Sequence, residues 1–148
     1  MTGSAGHALA ALQDALAAEQ AASYGYGVVG ARLPQGSAAQ AVAGSDWVAH
    51  LRAQDRLTEL INARGATPAP AAVAYHLPFP VDSPAAAKTL AATLEDRVAA
   101  AYLGLVAQPE PELRRLGAEQ VRAAALRAEA WRGSTQAFPG LPEASLRR

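Results

Sequence analysis

Glu19, His50, Glu95 and Glu119 are the residues of this chain whose types could do metal chemistry. Carboxylate oxygen and imidazole nitrogen are ligands that suit iron and manganese. In a di-metal four-helix bundle, two helices each supply a Glu and the other two each supply Glu-x-x-His, all pointing inward. Glu19 and Glu95 fit the single-Glu positions, each inside a strongly helical segment. The other half of the pattern is missing. Near His50 the closest offerings are Asp46 and Asp55, and neither completes Glu-x-x-His. The last helical segment carries Glu119-x-x-Arg122 and Glu129-x-x-Arg132, with arginine where a ligand histidine should stand. Arginine stays protonated and cannot ligate.

A fixed positive charge at that place points to a different chemistry. Stepping in threes and fours from Leu9 gives Leu9, Leu12, Leu16, Glu19, Ser23, Tyr26, Gly30 and Leu33, one mostly apolar helical stripe. A carboxylate on that side must be paired, protonated or bound to a metal. The expected arrangement is a buried network of ion pairs and hydrogen bonds among Glu19, Tyr26, His50, Arg52, Asp55, Glu95, Tyr102 and Arg122, without a cofactor. It would stand where an ancestral metal site was. The alternative is an oxidase-like protein holding iron or manganese on the reduced set Glu19, His50, Glu95 and Glu119. No catalytic residue is assignable. His50 by itself reads as a core histidine bonded to a carboxylate or carbonyl, and His76 as structural. Tyr24, Tyr26 and Tyr102 read as packing residues with a bonded hydroxyl. Whether Arg122 and Arg127 reach inward stays open, because alanine-rich helix 4 does not define its own rotation.

Composition removes other classes. The 148 residues hold 13 basic and 13 acidic side chains, so the electrostatic footprint of a nucleic-acid binder is absent. There is no cysteine, hence no disulfide framework and no thiolate nucleophile. No apolar run approaches the ~18 residues that span a bilayer, and no basic-then-apolar N-terminal signal is seen. A cytoplasmic protein is expected. Gly25-Tyr-Gly27-Val-Val-Gly30 imitates a dinucleotide fingerprint, but the strand that must precede it is replaced by a helical segment. Alanine makes up roughly a quarter of the chain, far above usual abundance. It favours helix and lets helices approach closely.

Four helices must position these residues. Helix 1 is expected over 6–32; Gly25, Gly27 and Gly30 mark either close packing or a kink. Ser37 N-caps helix 2 over 38–63, with the stripe Ala43, Trp47, His50, Gln54, Leu57 and Ile61. Arg52 and Arg56, four apart, repel unless both find carboxylates. After a glycine stop at Gly65, residues 65–83 carry Pro68, Pro70, Pro78 and Pro80. Val73, Tyr75, Leu77, Phe79 and Val81 alternate there, so the stretch reads as an ordered extended strap. Such a strap can return along a whole helix and leave helices 2 and 3 parallel. Ser83-Pro84 opens helix 3 over 84–107, where Glu95 and Tyr102 lie a heptad apart. Helix 4 is expected over 110–136 with the stripe Leu113, Gly117, Val121, Ala124, Ala128 and Trp131. A tail over 137–148 follows, its Phe138-Pro-Gly-Leu-Pro placed against the bundle.

Several segments resemble the actinobacterial, alanine-rich ferritin-like domain family of unknown function. They are Ala17-Ala-Glu19-Gln-Ala-Ala-Ser-Tyr24-Gly-Tyr26-Gly, His50-Leu-Arg52-Ala-Gln-Asp55, Tyr75-His-Leu-Pro78-Phe-Pro80-Val, Leu94-Glu95 with Tyr102, and Trp131-Arg-Gly with Phe138-Pro-Gly. The resemblance covers nearly the whole chain and implies a ferritin-like bundle; it implies no activity. The sequence thus predicts a single all-α domain over 1–148, a ferritin-like four-helix bundle with a long Pro-rich crossover between helices 2 and 3. The leading function is a non-enzymatic structural or interaction module. A homodimer is expected from its alanine-rich faces, with no nucleic acid and no membrane as partner. A further alternative is a small-ligand binder with a pocket under the Tyr75–Val81 strap.

Overall fold

The computed structural model describes residues 2–133, which form four helices joined by turns and one long irregular segment, with no strand among them. The helices are α1 (Thr2–Arg32), α2 (Ala38–Asn62), α3 (Pro84–Val106) and α4 (Pro111–Arg132). Their starts follow from local chemistry. The Ser37 side chain accepts from the Gln40 amide, and Ser83 accepts from the Ala86 amide with Pro84 in the first turn. α4 begins at Pro111 without a side-chain cap. It ends at Arg132 instead of 136 because Gly133 adopts the left-handed conformation, φ 81°, that terminates a helix. The expected tail with Phe138 lies outside the described residues.

α1 packs against α2 and α3, and α3 packs against α4. α2 and α4 make at most marginal backbone contact. The core is built of Leu12, Leu16, Val29, Leu57, Ile61, Leu90, Val98, Leu105 and Leu113, interleaved with buried alanines that let the helices close up. Gly117 is required by the packing, and Gly25 sits in close contact. A Cβ on Gly117 of α4 would stand 2.8 Å from the Val106 amide nitrogen and 2.9 Å from the Tyr102 carbonyl of α3. A Cβ on Gly25 would stand 2.5 Å from a Leu94 methyl. Gly27 and Gly30 face open space, so close packing explains only the first of the three, and α1 runs through all of them unbroken.

α2 turns the expected stripe inward at every position but one. Ala43, His50, Leu57 and Ile61 are buried, but Trp47 is 43% exposed. Asp46, one residue earlier and about 100° round the helix, is turned toward the interior in its place.

Residues 63–83 are tied to α1 along their length. Gln13 donates to the Thr67 carbonyl at 2.9 Å and accepts from the Ala69 amide at 2.9 Å. Gln20 donates to the Ala69 carbonyl, Tyr75 lies against Tyr24 at 5.4 Å between ring centres, and Arg32 donates to the Val81 carbonyl. Leu77, Phe79 and Val81 turn toward the core, whereas Val73 is fully exposed.

Candidate functional site

Two Glu-to-Tyr heptads set up the centre of the bundle. Glu19 and Tyr26 share one face of α1, and Glu95 and Tyr102 share one face of α3, each pair seven residues apart. The two helices cross-bond these pairs. Tyr26 Oη donates to Glu95 Oε1 at 2.7 Å, and Tyr102 Oη donates to Glu19 Oε1 at 2.8 Å. His50 of α2 lies between the carboxylates. Its Nδ1 meets Glu19 Oε2 in a short contact, and its Nε2 meets Glu95 Oε1 at 2.8 Å. Glu19, His50 and Glu95 are all completely inaccessible.

A histidine that donates from both ring nitrogens is the imidazolium. Burial alone pulls the His50 pKa down, but hydrogen bonds from it to Glu19 and Glu95, and the charges of both, outweigh burial and raise it to about 9. Burial likewise pushes Glu95 up, and His50 and Arg127 more than reverse this, holding the carboxylate below its ordinary range. Arg127 of α4 donates from Nε to Glu95 Oε1 at 2.9 Å. Two carboxylates therefore face one imidazolium and one guanidinium. Burial and the neighbouring Glu95 charge push the Tyr26 hydroxyl far above its ordinary range, and burial with Glu19 does the same to Tyr102. Both are hydrogen-bond donors, not bases.

An outer layer extends the cluster. Trp131 Nε1 lies 2.9 Å from Asp46 Oδ2 and 3.0 Å from Tyr26 Oη, donating between the two. Burial raises the Asp46 pKa, the Trp131 hydrogen bond opposing it. Gln54 donates to the Glu19 carbonyl at 3.2 Å and to Ser23 Oγ at 2.9 Å. Glu95 takes its three donors on Oε1, while Oε2 is buried with no partner among the described residues.

The expected network is thus assembled in part. Glu19, Tyr26, His50, Glu95 and Tyr102 come together. Arg52, Asp55 and Arg122 do not: all three are exposed. Arg52 and Asp55 sit two and five residues past His50, about 200° and 140° round α2. Arg122 precedes buried Ala124 by two residues, which turns it outward, while Arg127 shares a face with Ala124, Ala128 and Trp131. Glu119, a member of the reduced metal set, is exposed as well. Each ring nitrogen of His50 faces a carboxylate. Among the described residues no group of three or more His, Cys, Asp or Glu side chains is arranged to hold a metal ion. Of the other residues weighed, His7 and His76 are exposed. No described helix is long and apolar enough to cross a membrane.

A family model described as a domain of unknown function (DUF4439) matches residues 11–143. The chain belongs to this family. The chain is also similar to a solved structure: the crystal structure of a conserved hypothetical protein, rv2844, from Mycobacterium tuberculosis is 32% identical to it. The likeness covers 86% of this chain and 96% of that one, with a TM-score of 0.82. Among curated proteins none matches the sequence. For a DUF4439 chain read from sequence, Arg127 and Asp46 were the missing members of the centre. The Ala124–Ala128–Trp131 stripe carried the signal for Arg127, and the i−4 spacing to His50 carried the signal for Asp46.

Proposed function

We propose that this protein is a ferritin-like four-helix module without a metal centre, acting as a structural or interaction module and not as a catalyst. The observation that carries the reading is His50, fully buried with a carboxylate on each ring nitrogen. An imidazolium there supplies the positive charge that a metal would supply, and it leaves no nitrogen lone pair for ligation. The Arg127 guanidinium balances the second carboxylate. The donors of Tyr26, His50, Tyr102 and Trp131 are each engaged with a neighbour, so none of them is poised to act on a substrate.

The ferritin-like topology is supported by the ties of residues 67–81 to α1. They begin at Gln13 and end at Arg32, a climb of about 28 Å at the helical rise. A Pro-rich segment that makes this climb delivers α3 to the opposite end of the bundle from the end of α2. The two helices then run parallel, joined by a crossover.

Elemental analysis of the purified protein, before and after anaerobic incubation with ferrous iron, tests the reading. The expected result is no retained iron or manganese in either sample after desalting. Metal near one equivalent per chain, lost in a Glu19→Ala variant, would restore the oxidase-like alternative.

A further inference from the structure

The loose contact between α2 and α4 leaves a cleft of about 290 Å³ that reaches down to Tyr102 and Arg127. Arg52 and Arg56 line it from α2 and Arg127 from α4, and no carboxylate is among the lining residues. Three guanidiniums on one small cleft repel each other unless an anion lies among them.

Their present partners offset that repulsion only in part. Arg56 pairs with Glu112 at 2.9 Å and Glu59 at 3.5 Å, both across exposed surface. Arg127 uses only Nε, on Glu95. Its two Nη groups make no hydrogen bond with a described residue, and neither is fully buried. Arg52 makes no ion pair with any described residue. The like-charge spacing of Arg52 and Arg56 therefore keeps its unfavourable character in the folded chain. Leu57 and Leu116 give the same cleft an apolar wall, and Gln120 adds a neutral polar group.

We propose that the α2–α4 cleft is a binding site for a small organic oxyanion, a phosphomonoester or carboxylate carrying a short apolar body. The planar guanidinium forks of Arg52 and Arg127 suit the head group from opposite walls. The body lies on Leu57 and Leu116. The cavity is at the small end of the range for ligand sites, which suits a small molecule better than a nucleotide or a long-chain lipid. Arg127 joins this site to the buried network, since its Nε holds Glu95 while the same side chain lines the cleft. The site does not depend on the network being metal-free.

Isothermal titration calorimetry with phenyl phosphate, benzoate and phenol tests the proposal. Phenol, the same body without the anion, is expected not to bind, and at least one of the two anions is expected to bind with one site per chain. Whichever anion binds tighter identifies the head group. Arg52→Gln should weaken that anion about tenfold or more, the loss of one charge-assisted contact, with the melting temperature unchanged because Arg52 is exposed. Arg115→Gln, an exposed arginine of α4 outside the cleft, should leave binding unaltered. No binding of either anion at millimolar concentration would overturn the proposal. So would equal binding by wild type and Arg52→Gln, or an equal loss in Arg115→Gln.

Discussion

The hydroxyl of Tyr102 donates to Glu19 Oε1 at 2.8 Å, and the bond is one half of a reciprocal exchange. The other half joins Tyr26 to Glu95 at 2.7 Å. Each helix carries Glu and Tyr seven residues apart, so α1 and α3 meet with the Tyr of one level with the Glu of the other. His50 closes the gap between the two carboxylates.

Removing one carboxylate leaves a buried cation without its partner. Glu19→Ala should cost about 3 kcal/mol or more in a denaturant titration, since breaking a fully buried pair is far more costly than losing an exposed one. Tyr102→Phe removes a single hydroxyl and should cost about 2 kcal/mol. An undiminished midpoint in Glu19→Ala would mean that the network does not hold the bundle together.

Stability should depend on pH with a defined sign. The His50 pKa is about 9 in the folded chain against 6.5 for the ordinary group. A raised pKa stabilises fully below the unfolded value and loses that contribution as pH rises through the folded value. Roughly 3 kcal/mol should therefore be lost between pH 6.5 and somewhat above 9. Glu95 acts in the opposite direction: its lowered pKa gives a contribution present above its ordinary 4.5 and lost as pH falls below it. Urea midpoints should be highest between these limits, and His50→Gln should flatten the alkaline side.

The two arginines that sequence left undecided should separate cleanly. Arg127→Ala strips Glu95 of a charge-assisted bond beneath the surface and should cost roughly 3 kcal/mol. Arg122→Ala, on the exposed face, should change stability by no more than about 0.5 kcal/mol. Equal effects in thermal melts would contradict the placement of α4.

Gly117 tests the packing that brings Tyr102 into place. Its absent Cβ would meet backbone atoms of α3, which cannot rotate away. Gly117→Ala should destabilise by about 1–3 kcal/mol of overpacking even though alanine is the better helix former by ~1 kcal/mol. A more stable variant would show that α3 and α4 can separate freely.

The helices and their caps were legible because they rest on local chemistry. Ser37, Ser83-Pro84 and the glycine at position 65 act within a turn of where they stand. The heptads Glu19–Tyr26 and Glu95–Tyr102 were legible too, since spacing alone puts each pair on one face. The inward turn of Asp46 on α2 and the choice between the arginines of α4 were less so. Trp47 reads as a core anchor by its size, yet Asp46 faces inward because it meets the Trp131 indole from α4, a contact between residues 85 apart in the chain. α4 has alanine on several sides, so its apolar pattern favours Arg127 over Arg122 only through the sparse Ala124–Ala128–Trp131 stripe, and the ion pair with Glu95 decides it.

Histidine-ring ¹⁵N NMR of the folded protein at neutral pH distinguishes a buried imidazolium from a neutral ring. Both ring nitrogens of His50 should be protonated, stay so past pH 8, and not respond to ferrous iron. A neutral imidazole at pH 7, or a ring signal broadened by added iron, would contradict a metal-free imidazolium centre.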